Sequence, residues 1–265
     1  MKTTLPLLLL VALFSFPVLA QEKGDVNFLP EAGLNISFPA GGDIYLVRKD
    51  FKEEKENNPD TDFYRPFRPR WGASAGFRIE YYILKKLAIG SGMIFNQKGW
   101  TEVSGVKYED GYSRAKEKFR FDYIDFPFVA IVNFNGWQTY GGPVLSVLVF
   151  ERVVQKQKTK MGDDVEKEED KYDFYSSSWG DEKPRTITGG FQFGCRKQMS
   201  NGITCGVGFA YTTILPLTQE DSYELNTFQL QLTCGKVFQL RDRSTTTPAS
   251  TKRNDAYIKS EAKAN

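Results

Sequence analysis

The stretch Trp71-Gly72-Ala73-Ser74-Ala75-Gly76-Phe77-Arg78-Ile79-Glu80-Tyr81-Tyr82-Ile83 decides the fold. Its odd positions carry Trp71, Ala73, Ala75, Phe77, Ile79 and Tyr81, and its even positions carry Gly72, Ser74, Gly76, Arg78 and Glu80. Successive side chains of a strand point to opposite faces, so this reads as one apolar face backed by a face of small and charged residues. After the link Leu84-Lys85-Lys86 the pattern returns. Leu87, Ile89, Met93 and Phe95 then alternate with Ala88, Gly90, Gly92 and Asn96, with Ile94 as the exception. Two alternating runs joined by so short a link read as a hairpin.

Outward from this hairpin the same rhythm predicts strands at about 29–38, 119–133, 138–150, 186–196, 203–215 and 227–240, eight in all with 71–83 and 87–97. The short links contain Asn135-Gly136 and Asn201-Gly202, dipeptides that favour hairpin turns. The other links, at about 39–70, 98–118, 151–185 and 216–226, are long and rich in charge. Long and short links alternate, so a meander gathers all long loops at one end and all short turns at the other. That segregation, with strands of roughly ten residues or more, predicts an all-β, eight-stranded, antiparallel up-and-down transmembrane β-barrel.

In a barrel of this kind the apolar faces meet lipid and the small polar faces fill the lumen. Residues such as Gly90, Gly92, Gly190, Gly194, Gly206 and Gly208 suit a narrow interior without an open pore. Trp71, Tyr81, Tyr82, Phe95, Trp100, Phe134, Trp137, Tyr140 and Phe238 are placed as interfacial aromatic girdles. Arg78, Glu80 and Asp125 fall on inward faces. They read as a structural lumen charge network, because buried charges need partners. A soluble lipocalin-like barrel with an apolar ligand is the rival reading, and it requires the opposite orientation of the faces.

Composition narrows the chemistry. The 265 residues include no histidine, which excludes Ser-His-Asp and Cys-His catalysis, His-containing metal sites and the His-dependent enzymes built on small barrels. Neither a cofactor nor a metal site is expected. The acidic run at 160–171 lacks a central turn glycine and reads as a solvated loop rather than a calcium loop. A net charge of +2 gives no reason for a nucleic-acid partner. Aromatics reach 14%, with 21 Phe and 13 Tyr, in keeping with strands. Cys195, Cys205 and Cys234 all fall on apolar faces.

The chain divides into a secretory signal at 1–20, a barrel domain at 21–240 and a tail at 241–265. Lys2, the apolar run from Leu5 to Leu19 and the small Ala20 form the signal, which is cleaved on export. The tail is Ser-, Thr-, Lys- and Ala-rich and reads as disordered and periplasmic. Within loop one, Phe63, Tyr64, Arg65, Phe67 and Arg68 form a candidate contact patch for an envelope or extracellular protein, since aromatics and Arg are enriched at interface hot spots.

Four motifs resemble a known family. Gly33-Leu34-Asn35-Ile36, Phe95-Asn96-Gln97-Lys98-Gly99, Tyr123-Ile124-Asp125-Phe126-Pro127 and Tyr140-Gly141-Gly142-Pro143 are similar, in order, to strands of the PorT-like outer-membrane β-barrel family of Bacteroidota. The likeness runs from about 27 to 240. It implies an outer-membrane barrel without a reaction, inserted by the barrel-assembly machinery, with Phe238 as the terminal aromatic that machinery reads. It also implies an accessory role in protein secretion for the name-giving branch. The long charged third loop and the residues beyond Phe238 depart from the family pattern.

Overall fold

The computed structural model describes residues 23–41, 44, 49, 52, 53, 56, 62–108, 111–172, 186–213 and 226–240. The expected signal at 1–20, the expected tail at 241–265 and most of the expected fourth loop lie outside these residues. Among the described residues no helix is long and apolar enough to cross a membrane, which says nothing about strands.

Among the described residues, eleven strands form one antiparallel sheet: β1 (Val26–Ala40), β2 (Asp62–Tyr64), β3 (Phe67–Leu84), β4 (Leu87–Tyr108), β5 (Gly111–Phe134), β6 (Trp137–Met161), β7 (Asp164–Tyr172), β8 (Ile187–Gln198), β9 (Ile203–Thr213), β10 (Asn226–Lys236) and β11 (Phe238–Gln239). The ring runs β1-β3-β4-β5-β6-β8-β9-β10 and closes where β10 pairs with β1, from Glu31↔Gly235 to Ala40↔Asn226. Eight staves are therefore joined edge to edge, and no backbone edge of the ring faces lipid. β11 continues β10 in the same register after Val237 and pairs with Asn27 and Phe28.

Asn135 and Gly136 take φ values of 50° and 77°, as a two-residue turn matching the strand twist requires. At the other end the staves are unequal. β8 and β9 have 12 and 11 residues, but β5 and β6 have 24 and 25. A tilted crossing needs roughly 9–11 residues, so more than half of β5 and β6 stands beyond it. The expected long loop at 98–118 is thus mostly strand, paired from Trp100↔Phe119 to Tyr108↔Gly111. The expected solvated loop at 160–171 is the β6–β7 hairpin, which turns at Gly162 with φ 58°. There the alternation is carried by charge rather than by hydropathy.

The faces orient as a membrane barrel requires. Trp71 and Phe191 are each 67% exposed and Leu34 is 57% exposed on the outside, whereas Glu80, Arg196 and Arg78 inside are 0%, 2% and 3% exposed. Tyr82, Trp100 and Tyr140 are buried and do not belong to the girdles expected of them. Tyr82 follows the outward Tyr81 and so points inward. Trp100 faces the lumen after Gly99, which has φ 144°.

Candidate functional site

The lumen is filled in layers. Nearest the short turns, Tyr82, Ala88, Val129, Ile131 and Tyr140 form a small apolar cluster. Arg196 is ion-paired with Glu80 beside it, and donates from Nε to Gln138 at 2.6 Å. Gln138 donates in turn to the Tyr82 hydroxyl at 2.9 Å and to Gln198 at 3.1 Å. Arg78 Nη2 lies 2.9 Å from Glu31 Oε1. Both guanidinium groups lie near the Tyr140 ring, that of Arg78 at 4.7 Å from its centroid and that of Arg196 at 5.9 Å. Gly194 and Gly208 make this possible, because a Cβ on either would come within 2.6 or 2.7 Å of the Tyr140 hydroxyl.

Midway, Lys98 Nζ donates to Asp125 at 2.9 Å and to Ser146 and Thr212 at 3.2 Å. Asn96 links the same Asp125, at 2.8 Å, to Asn35 and Gln229. Toward the long end Trp100, Phe119, Phe121, Tyr123 and Val153 close the lumen, with Ile44 from the segment after β1 packed against them. The rings of Trp100 and Phe119 stack at 4.8 Å. Ion pairs, amides and rings thus occupy the interior throughout. A concavity of about 910 Å³ lies outside on the apolar wall, between Phe77, Ile79, Phe126 and Phe128.

The residues singled out in the sequence fall as follows. Arg78, Glu80 and Asp125 all lie in the lumen but do not pair with one another. Their partners are Glu31, Arg196 and Lys98. The sequence pattern puts Lys98 at the start of a loop, and Glu31 and Arg196 sit on strands far away in the chain. The residues of the loop-one patch are spread over β2, the link after it and β3. Phe63 and Tyr64 belong to β2, opposite Val106 and Gly105 of β4. Arg65 is ion-paired with Glu102, and Phe67 packs onto the aromatic closure. Arg68 is exposed, beside Thr101 on the outer face. Phe238 lies at the short-turn end opposite Phe28 and is 46% exposed.

A feature absent from the sequence reading is the two-faced sheet made by the free-standing parts of β5, β6 and β7. Arg114, Lys116 and Lys118 pair across to Lys158, Lys156 and Val154. Lys156 and Lys158 pair across to Glu169 and Lys167 of β7. Alternation puts all of these on one face. The opposite face carries Glu117, Glu151, Glu166, Glu168 and Asp170 without a Lys or Arg from these strands. The basic face continues the lipid-facing side of the wall, since Arg120, Lys118 and Lys116 follow Ile124, Phe126 and Phe128 in the same alternation on β5. Partial burial, together with Lys118, Arg68, Arg114 and Lys156 around it, holds the Lys116 ammonium below the ordinary lysine value.

None of the curated proteins matches the chain in sequence. Among solved structures, the attachment invasion locus protein Ail of Yersinia pestis is 10% identical over 82% of this chain and 99% of its own, with a TM-score of 0.36. Neisserial surface protein A is 11% identical over 80% of this chain and 97% of its own, with a TM-score of 0.32. OprG of Pseudomonas aeruginosa is 10% identical over 83% and 99%, with a TM-score of 0.31. A family model for the outer membrane protein beta-barrel domain matches residues 19–236, most of the chain, and the chain belongs to that family.

Proposed function

We propose that this protein is a non-enzymatic outer-membrane barrel that acts at the cell surface through its tall β4–β7 hairpins, with the barrel serving as a sealed, rigid mount. The observation that carries this reading is the contrast between the two ends of the staves. The spanning part is apolar outside and closed inside by ion pairs and rings. The β5–β6 wall continues well beyond it as a charged sheet. A barrel of this family resides in the outer membrane of a Gram-negative bacterium, with lipid around its wall. The long hairpins then lie outside and the short turns in the periplasm.

The same reading includes export by a cleaved signal, insertion by the barrel-assembly machinery with Phe238 as its signal, and membership of the PorT-like outer-membrane β-barrel family of Bacteroidota. The partner of the hairpins is an envelope or extracellular component. A lipocalin-like binding role has less support, because its ligand needs an apolar cavity where this lumen holds Lys98, Asp125, Arg78 and Glu31.

An epitope inserted after Gly162 tests the reading. It should be detected on intact cells, and the protein should fractionate with outer membranes. Reconstituted in planar bilayers, it should give no conductance steps. Recovery from the periplasm without detergent, or an epitope seen only after permeabilisation, would overturn the assignment.

A further inference from the structure

We infer that the basic face of the β5–β6–β7 sheet binds the phosphate-bearing headgroups of lipids in the outer leaflet around the barrel. The inference rests on the outer-membrane reading above and names the partner of its charged wall.

Position is the first argument. Ile124 and Phe126 on β5, like Leu145 and Val149 on β6, point out of the spanning wall, and Leu145 and Val149 are well exposed. Along the same side come Phe150 and then Arg120 and Arg152. The ring of Phe150 lies 5.6 Å from both guanidinium groups. An aromatic ring flanked by arginines, at the edge of an apolar band, is the arrangement that marks a membrane interface. Beyond it, each pair of residues rises roughly 5 Å for a strand tilted by about 40°. Lys118, Lys116 and Arg114 on β5 therefore stand at successive heights just outside the apolar band, turned to the surrounding lipid rather than to the barrel axis.

Charge is the second argument. Lys116 and Lys118 are joined on this face by Lys156, Lys158 and Lys160 of β6, with Arg68 of β3 beside Lys118. Two carboxylates interrupt the face: Asp122, which holds Arg120 at 2.6 Å, and Glu169, which holds Lys156 at 2.5 Å. The acidic residues of the same strands are turned to the opposite face. Like charges directly across a ladder are destabilising, and here Arg114 faces Lys158 and Lys116 faces Lys156. Such an arrangement is relieved by an anion that bridges the pair. A shallow cavity of about 360 Å³ gives such an anion a place: five cations, Arg114, Lys116, Lys156, Lys158 and Lys167, line it with Gln157 and two carboxylates, Glu168 and Glu169, the latter already paired with Lys156. Burial first, and then the neighbouring cations Lys118, Arg68, Arg114 and Lys156, lower the affinity of Lys116 for its proton.

The occupant follows from where the face points. A soluble polyanion would approach from above. A face that prolongs the lipid-contacting side of the wall meets the headgroups of neighbouring lipids, whose acyl chains lie along Ile124, Phe126 and Phe128.

The test uses the full-length protein folded in neutral detergent. It is exposed to micelles doped with bisphosphorylated lipid A or with the same lipid after removal of its phosphates, and retained lipid is counted by native mass spectrometry. The wild type should retain the phosphorylated lipid over the dephosphorylated one by at least about tenfold, an effect weakened by added salt. The variant Lys116→Gln/Lys118→Gln/Lys156→Gln/Lys158→Gln should lose that preference, and Glu166→Gln/Asp170→Asn on the other face should keep it. If the fourfold variant does not fold, Lys116→Gln/Lys158→Gln should show a partial loss. Equal retention of the two lipids overturns the inference. So does an unchanged preference in a folded lysine variant, or binding of soluble polyphosphate as tight as that of the lipid. A wild-type protein that fails to insert into detergent or vesicles at all would instead count against the barrel reading.

Discussion

Lys98 Nζ lies 2.9 Å from Asp125 Oδ1 in the middle of the lumen, and both side chains are buried. Neither charge has bulk water to turn to. Lys98→Met leaves Asp125 with the neutral donors Asn96 and Ser146, and removing one partner of a buried pair costs about 3–5 kcal/mol. The double variant Lys98→Met/Asp125→Leu removes both charges together and should cost less than Lys98→Met alone. The temperature at which the compact band converts to the unfolded band in SDS gels reads both effects. Equal midpoints for wild type and Lys98→Met would show that the pair contributes nothing.

Arg78 pairs with Glu31 across β1 and β3, so its loss strands Glu31 rather than Glu80 or Asp125. Arg78→Met should therefore destabilise the barrel, and adding Glu31→Gln should restore part of the loss. Adding Glu80→Gln should make matters worse, because Arg196 would then lose its own partner. A double-mutant cycle on urea midpoints checks the pairing. Rescue by Glu80→Gln instead of Glu31→Gln would refute it.

The staves were legible in the sequence because hydropathy alternates along them, and the short turns because Asn135-Gly136 has few alternatives to a tight hairpin. The tall hairpins were not legible. In Arg114-Ala115-Lys116-Glu117-Lys118 the period of two is one of charge sign, and by hydropathy the run looks like solvated loop. Lys98 shares the parity of the inward Asn96, but a lysine after Asn96-Gln97 reads equally well as the start of a loop. The lumen partners were beyond reach for another reason. Glu31 lies 47 residues from Arg78, and Arg196 lies 116 residues from Glu80. Only ring closure and register bring them together.

Tyr140 occupies space that Gly194 and Gly208 leave open. Gly194→Ala puts a methyl group within 2.6 Å of the Tyr140 hydroxyl and of the Val207 carbonyl oxygen, which is too close for either to stay in place. Overpacking of this kind costs about 1–3 kcal/mol. Tyr140→Leu should restore part of the loss in Gly194→Ala, since it removes both the hydroxyl and the ring carbon, at 2.7 Å, that clash. Absence of any rescue in thermal midpoints would locate the strain in the strand backbone instead.

Cys205 and Cys234 stand directly opposite each other on β9 and β10, with their sulfur atoms 2.9 Å apart. Treating the folded protein with a disulfide-exchanging oxidant such as oxidised glutathione should join them. The two thiols lose two hydrogens and the oxidant takes them up as two thiols. Cys195 on β8 should remain open to alkylation. Peptide mapping of alkylated, unreduced protein reads the outcome, and labelling of all three cysteines after oxidation would show that the pair does not close.

β10 supplies the closure of the ring, pairing with β9 along one edge and β1 along the other. Removing it exposes two rows of backbone donors and acceptors to lipid, at several kcal/mol for each unsatisfied group. A chain ending after Thr227 should therefore fail to insert into vesicles. A chain ending after Leu240 keeps β10 and β11, including Phe238 opposite Phe28 and the hydrogen bond from the Leu240 amide to the Val26 carbonyl. It should insert and show the same heat-modified gel mobility as the full chain. Phe238→Ala in the full chain separates closure from recognition. If Phe238 acts in cells as the signal read during assembly, this variant should accumulate outside the membrane in cells yet still fold into vesicles from urea. Loss of folding in both settings would instead make Phe238 part of the closing strand's packing, and loss of insertion by the Leu240 truncation would extend the barrel's needs beyond β11.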